Sequence, residues 1–142
     1  MRHSLLIIIF SLTSILLSSF STKDPDPRII DYLGQEKVDI ILKNNPDLIN
    51  YYNFFLENSY IISEVPQDKL IDNNFTEIKL PLENGKVDRE KLNVLKLNIQ
   101  RKYDSRIYFK VENSNEIFIM LSEKEFIEKY NDYRKKLGLI NK

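Results

Sequence analysis

The chain has few residue types with which to do chemistry. Its one histidine is His3, and it has no cysteine. His3 falls in an N-terminal stretch that reads as a removable leader, so the remaining chain lacks both imidazole and thiol. That excludes a Ser-His-Asp triad, a Cys-His dyad and any zinc site built on nitrogen or sulfur ligands. Thiol redox chemistry and haem ligation through His or Cys go with them. Gly34, Gly85 and Gly138 stand alone, so there is no glycine-rich phosphate loop. No catalytic residue and no cofactor is expected.

Carboxylates remain. Two of them across a cleft suffice for glycoside hydrolysis, and Asp88 with Glu90, or Glu112 with Glu116 across a hairpin, are the candidate pairs. Acidic residues are more often solvated surface groups than buried acids, and that is the expectation for these four. Calcium needs clustered oxygen ligands, and the densest groups are Asp24 with Asp26 and the run Asp72-Asn73-Asn74. Neither matches the loop in which a glycine allows the chain to wrap the ion. Such residues also favour turns for backbone reasons alone, so no metal is expected. Asn74-Phe75-Thr76 is a formal N-glycosylation sequon, silent in a host that does not glycosylate there.

Aromatic residues suggest binding instead. In Tyr51-Tyr52-Asn53-Phe54-Phe55, helical spacing places Tyr52 and Phe55 with Leu48 in a core stripe and Tyr51 at its margin. Phe54 alone points well away and is a candidate interface residue. A second candidate group comes from two alternating segments near the C-terminus. If Ile107, Phe109, Ile117 and Ile119 face a covering helix, then Tyr108, Phe118 and Met120 line the opposite face. Either N-terminal helices cover that face or it is a partner-binding patch.

These residues have to be positioned by regular elements. Met1-Arg2-His3, the apolar run Leu5 to Leu17 and Ser18-Ser19-Phe20-Ser21 have the three-part layout of a secretory signal peptide, with cleavage expected near Ser21. The run is shorter than the roughly 20 residues a membrane-crossing helix needs, so no stable insertion after cleavage is expected. Loss of residues 1–21 removes Arg2 and no acid, leaving 20 basic against 21 acidic residues. The two signs are mixed along the chain, which offers no footprint for nucleic acid. Ile, Asn, Lys, Tyr and Phe have AT-rich codons, so their abundance beside absent Ala and Trp carries no functional weight.

Residues 22–27 read as a linker, and a helical block is expected over 28–58. Asp26 followed by Pro27 signals a capped helix, and Gly34 a stop. A second helix is expected over Glu36–Lys43, and Asn45-Pro46-Asp47 opens a third. Strands are expected over Tyr60–Val65, Phe75–Leu80, Leu95–Gln100, Arg106–Glu112 and Glu116–Leu121, with a turn at Asn84-Gly85. Ser122 and Glu125 match a capping box for a last helix over 122–137. Phe126, Tyr130, Tyr133 and Leu137 form its apolar stripe.

The expected fold is α+β, one small domain over 22–142. In it a small N-terminal helical block precedes a mainly antiparallel sheet of three to five strands, with a C-terminal helix packed on one face. The expected function is an exported, periplasmic or secreted, non-enzymatic accessory or interaction module of the bacterial cell envelope, with another envelope protein as partner. The alternatives are a small carboxylate-dependent hydrolase, a glycan-binding protein, or a protein tethered by an uncleaved N-terminal helix.

Overall fold

The computed structural model describes residues 23–65 and 75–140. The leader, the Asp72-Asn73-Asn74 run and Asn74 of the sequon lie outside the described residues. Asp26 caps the first helix, α1 (Pro27–Leu33), its carboxylate accepting from the Arg28 N–H at 2.9 Å. Gly34, at φ 85°, ends α1 and starts α2 (Gln35–Asn44) in a backbone region that side chains disfavour. The third helix, α3 (Asp47–Asn58), turns directly into the sheet. The predicted helical block is therefore present.

The main sheet has four strands: β1 (Tyr60–Glu64), β2 (Thr76–Ile78), β5 (Ile107–Val111) and β6 (Glu116–Met120). Their spatial order is β1-β6-β5-β2. β6 pairs antiparallel with both β1 and β5, while β2 joins β5 in parallel. A separate hairpin joins β3 (Leu82–Glu83) to β4 (Lys86–Val87) through Asn84 and Gly85. Both turn residues have positive φ, 52° and 77°, the backbone that a two-residue hairpin requires. The architecture is α+β, with the helices preceding the sheet and one helix, α4 (Glu123–Lys136), following it.

Two expectations are corrected. Leu95–Gln100 is not a strand: a 3₁₀ turn occupies Val94–Lys96, and Asn98 adopts φ 51°. Asn93 sets the turn by accepting from the Leu95 N–H. The alternation of Leu95, Leu97 and Ile99 with Lys96, Asn98 and Gln100 is still expressed as alternating burial, but without a ladder.

The second correction concerns the hairpin faces. Phe109 lies opposite Phe118, and Ile107 opposite Met120. Directly opposed residues share a face, so Ile107 and Phe109 side with Phe118 and Met120, while Ile117 and Ile119 side with Tyr108. The connecting loop is one residue longer than the run Asn113-Ser114-Asn115 suggests, and a one-residue shift reverses every side chain.

The core lies between the sheet and the helical block, where Phe118, Met120, Val111 and Tyr60 meet Ile29, Val38, Ile49 and Leu56. Of the two ways to cover the Phe118–Met120 face, the N-terminal helices are the one realised. The α4 helix begins with the predicted capping box, Ser122 and Glu125 each engaging the other's backbone N–H. Its stripe of Phe126, Tyr130 and Tyr133 meets Tyr51, Phe54 and Phe55 of α3, whereas Leu137 is 49% exposed.

Arg106, just before β5, forks both oxygens of Glu125 at 2.6–3.1 Å. Together with the Ser122 bonds, this holds the Glu125 carboxyl down at about 2, well below its usual 4.5. A carboxylate depressed on folding contributes stability that is present above its unfolded pKa and lost as pH falls toward the folded one. Acid titration should therefore show a loss between pH 4.5 and about 2. The pair is partly exposed, so this loss is no more than about 1 kcal/mol. Arg106→Gln should flatten it, and an unchanged acid limb in that variant would refute the assignment. Ser122→Ala should cost about 1 kcal/mol in urea denaturation at pH 7.

Candidate functional site

The four candidate interface residues do not come together. Phe118 and Met120 are 0% and 1% exposed and belong to the core. Tyr108 lies on the opposite face of the same hairpin and is 43% exposed, with Phe75 beside it at 6.1 Å between ring centres. Phe54 does point away from the sheet-facing side of α3. Its ring packs on Phe126, Tyr130 and Tyr133 at 5.7, 5.3 and 4.8 Å, so the interface it serves is the one with α4.

One member of each carboxylate pair, Asp88 and Glu116, is engaged in holding the backbone. Asp88 accepts from the N–H groups of Glu90 and Lys91 and pairs with the Lys91 ammonium at 2.9 Å. Glu116 is buried, and its Oε2 accepts from the Val87 N–H at 2.6 Å, tying the small hairpin to the sheet. Glu64 stands directly opposite Glu116 across the strands, and Lys86 at 2.6 Å from Glu64 relieves the like-charge contact. Asp26, Asp31, Glu64, Asp88 and Glu125 all have lowered pKa values, in each case chiefly through a hydrogen bond from a cation. A general acid needs the opposite shift. Among the described residues, no three His, Cys, Asp or Glu side chains converge as a metal site. No described helix is long and apolar enough to cross a membrane.

A concavity lies elsewhere. A cleft of about 520 Å³ opens between α1, α3 and the segment 94–100. Its walls are Tyr32, Phe55, Val94, Leu95, Asn98, Ile99, Gln100 and Met120. Met120 and Val94 are buried and lie deepest, while Tyr32, Asn98 and Gln100 are exposed and form the rim. Each wall has a local cause. α1 is fastened to the loop after β4 by Arg28, which donates to the carbonyls of Arg89 and Leu92. Asn93 returns the tie by donating to the Arg28 carbonyl and Asp31, and Lys96 pairs with Asp31 at 2.7 Å. The 3₁₀ turn and the left-handed Asn98 then carry the chain over Met120 instead of into the sheet.

The described lining of the cleft is neutral. Among the described residues its lining has no carboxylate, amine, guanidinium, imidazole or thiol, and the phenol of Tyr32 is the one ionisable group. Two side-chain amides at the rim offer both donors and acceptors. Its size falls within the usual range for ligand pockets. Of the candidate interface residues, only Met120 lines it, and Met120 is reached from inside the fold. The other walls were missed because an alternating strand would have placed Leu95, Leu97 and Ile99 in a sheet. The signals against that were Asn93 and Asn98, residue types that readily cap turns and adopt positive φ.

Comparison with family models, curated proteins and solved structures finds no match to this chain.

Proposed function

We propose that this protein is an exported, non-enzymatic accessory module of the bacterial cell envelope that works by binding another protein, and that the cleft beside Asn98–Gln100 is where it binds. The observation that carries this is the composition of the cleft: apolar side chains and neutral amides, with no nucleophile, acid or metal ligand beyond a phenol among the described residues. Such a lining can recognise a ligand, and among the described residues it offers only the Tyr32 phenol with which to move a proton. The downward pKa shifts of Asp26, Asp31, Glu64, Asp88 and Glu125, away from what a glycosidase acid requires, favour the same choice over a small hydrolase. Export rests on the N-terminal sequence, with its basic start, apolar run and small residues near Ser21.

Site-specific photocrosslinking in cells tests both parts. A benzophenone amino acid replacing Asn98 should give a discrete protein adduct, and the same probe at Glu128, exposed on α4, should not. The recovered protein should begin near Thr22. Absence of an adduct from position 98 in folded, exported protein would refute the binding site. An intact N-terminus in the membrane fraction would refute cleavage and favour a tether.

A further inference from the structure

The two edges of the main sheet are guarded differently. β2 is three residues long, and a short edge strand offers little to pair with. β1 runs five residues, Tyr60-Ile61-Ile62-Ser63-Glu64, without the lysine, proline or bulge that usually blunts an edge. Its register fixes which main-chain groups face outward. The Leu121 N–H donates to the Ser59 carbonyl and the Val65 N–H to the Asn115 carbonyl. Ser59, Ile61, Ser63 and Val65 therefore turn their polar groups toward β6. Tyr60, Ile62 and Glu64 turn theirs the other way, where no strand stands among the described residues. The Glu64 carbonyl receives a long bond of 3.5 Å from the Ser63 hydroxyl. The other outward groups have no partner among the described residues. The two ends of the strand differ in charge. Glu64 gives Oε1 to Lys86 at 2.6 Å, and its side chain is 66% exposed, with Oε2 unengaged among the described residues. At the other end, burial pushes the Tyr60 phenol up and the nearby Arg89 opposes it. Arg89 is exposed and pairs with no carboxylate among the described residues.

We infer that β1 is a self-association edge, at which two copies of this chain pair antiparallel about Ile62 and join their sheets into one. A two-fold interface needs a patch that complements itself. About this axis Ile62 meets the second copy's Ile62, and Tyr60 meets the second copy's Glu64, each pair exchanging main-chain hydrogen bonds. Ile61 falls beside the second copy's Ser63 on the other face. No like charges are opposed, because Glu64, the one charged side chain of the strand, lands at the Tyr60 end. There its free carboxylate oxygen meets Arg89, the cation that lacks an acid. A peptide of any sequence would satisfy the outward main chain. The match of Ile62 with itself and of Glu64 with Arg89 is written in this chain alone, and it selects a second copy. This edge is independent of the cleft and adds a partner to it.

Sedimentation equilibrium of the purified protein over about 10 μM to 1 mM should show a reversible monomer–dimer equilibrium. Amide exchange of the unaltered chain gives the spatial readout. The amides of Tyr60, Ile62 and Glu64 should slow as concentration rises, while those of Ile61 and Ser63, already bonded to β6, should change little. Ile62→Pro removes the central outward N–H and should raise the dissociation constant about tenfold or more. Glu64→Arg and Arg89→Glu should each weaken the dimer severalfold, and the two together should restore it. Both positions are exposed, so the charge exchange supplies the test should Ile62→Pro fail to fold. The chain has no cysteine of its own. Ile62→Cys should therefore give a disulfide-linked dimer on mild oxidation, because directly opposed residues lie within disulfide reach, and Glu128→Cys on α4 should not. Self-pairing is overturned if the protein stays monomeric at about 1 mM, or if exchange at Tyr60, Ile62 and Glu64 does not depend on concentration. It is also overturned if the dimer tolerates both single charge reversals or is not restored by the double one. Another envelope protein that protects these amides while the purified chain stays monomeric would likewise overturn it, and would make β1 an edge for a different chain.

Discussion

Replacing Phe118 with Ala is expected to destabilise the protein by about 3–5 kcal/mol, the usual range for truncating a fully buried phenylalanine. Phe118 sits on the central strand β6, with neighbours on both sides. Its ring stacks on Tyr60 at 5.2 Å from β1 and lies 6.2 Å from Phe109 on β5. Above it the core is completed by α1–α3. Loss of the ring removes apolar area and leaves a cavity walled by regular elements, which cannot collapse freely. Since small domains are stable by only about 5–15 kcal/mol, the variant should unfold at much lower urea, with the denaturant slope unchanged. Tyr108→Ala is the internal control. Its ring is on the opposite face and 43% exposed, so its removal should shift stability by no more than about 0.5 kcal/mol. Equal losses at the two positions would mean that the hairpin faces are assigned wrongly.

What could be read in the sequence divides along a physical line. Local signals were legible because they act over a few residues. Asp26-Pro27, the Ser122–Glu125 box and Asn84-Gly85 each specify a backbone geometry by themselves, and each is found in place. The alternation of β5 and β6 was equally clear. Their relative register was not, since it depends on whether the loop after Val111 holds three residues or four, and nothing in Asn113-Ser114-Asn115 decides that. The parallel pairing of β2 with β5 had no local signature either. The cleft was least legible of all. Its walls come from α1, α3, β6 and an irregular segment, and they meet only because Arg28 and Asn93 bind α1 to the loop after β4. The strand-like alternation of Leu95–Gln100 was a true property of the chain, since those side chains do alternate in burial. Only the inference of a partner strand failed, since among the described residues none lies beside it.

Phe126→Ala should release the last helix from the rest of the fold, at a cost again of about 3–5 kcal/mol. Phe126 is fully buried, and its ring lies 5.6 Å from Tyr51, 5.7 Å from Phe54 and 5.2 Å from Phe55, all on α3. These edge-on and tilted arrangements are the favoured ones for aromatic pairs, each worth about 0.5–1.5 kcal/mol beyond simple burial. The Arg101 guanidinium adds a further dependence. It lies against Phe55 and Phe126, and its Nη1 is buried with no hydrogen-bond partner. The two π faces therefore compensate a charge that would otherwise be costly to bury. Removing one of them should hurt less once the cation is gone. A double-mutant cycle of Phe126→Ala with Arg101→Met should accordingly give a coupling of about 1 kcal/mol or more. Hydrogen exchange provides the spatial readout. Amides within α4 should lose protection in Phe126→Ala under conditions where those of β5 and β6 keep theirs, because the aromatic contacts of α4 run to α3 and not to the strands. Uniform loss of protection across helix and sheet would show instead that α4 and the sheet form one cooperative unit. Zero coupling with Arg101 would mean that the rings pack beside the cation without compensating it.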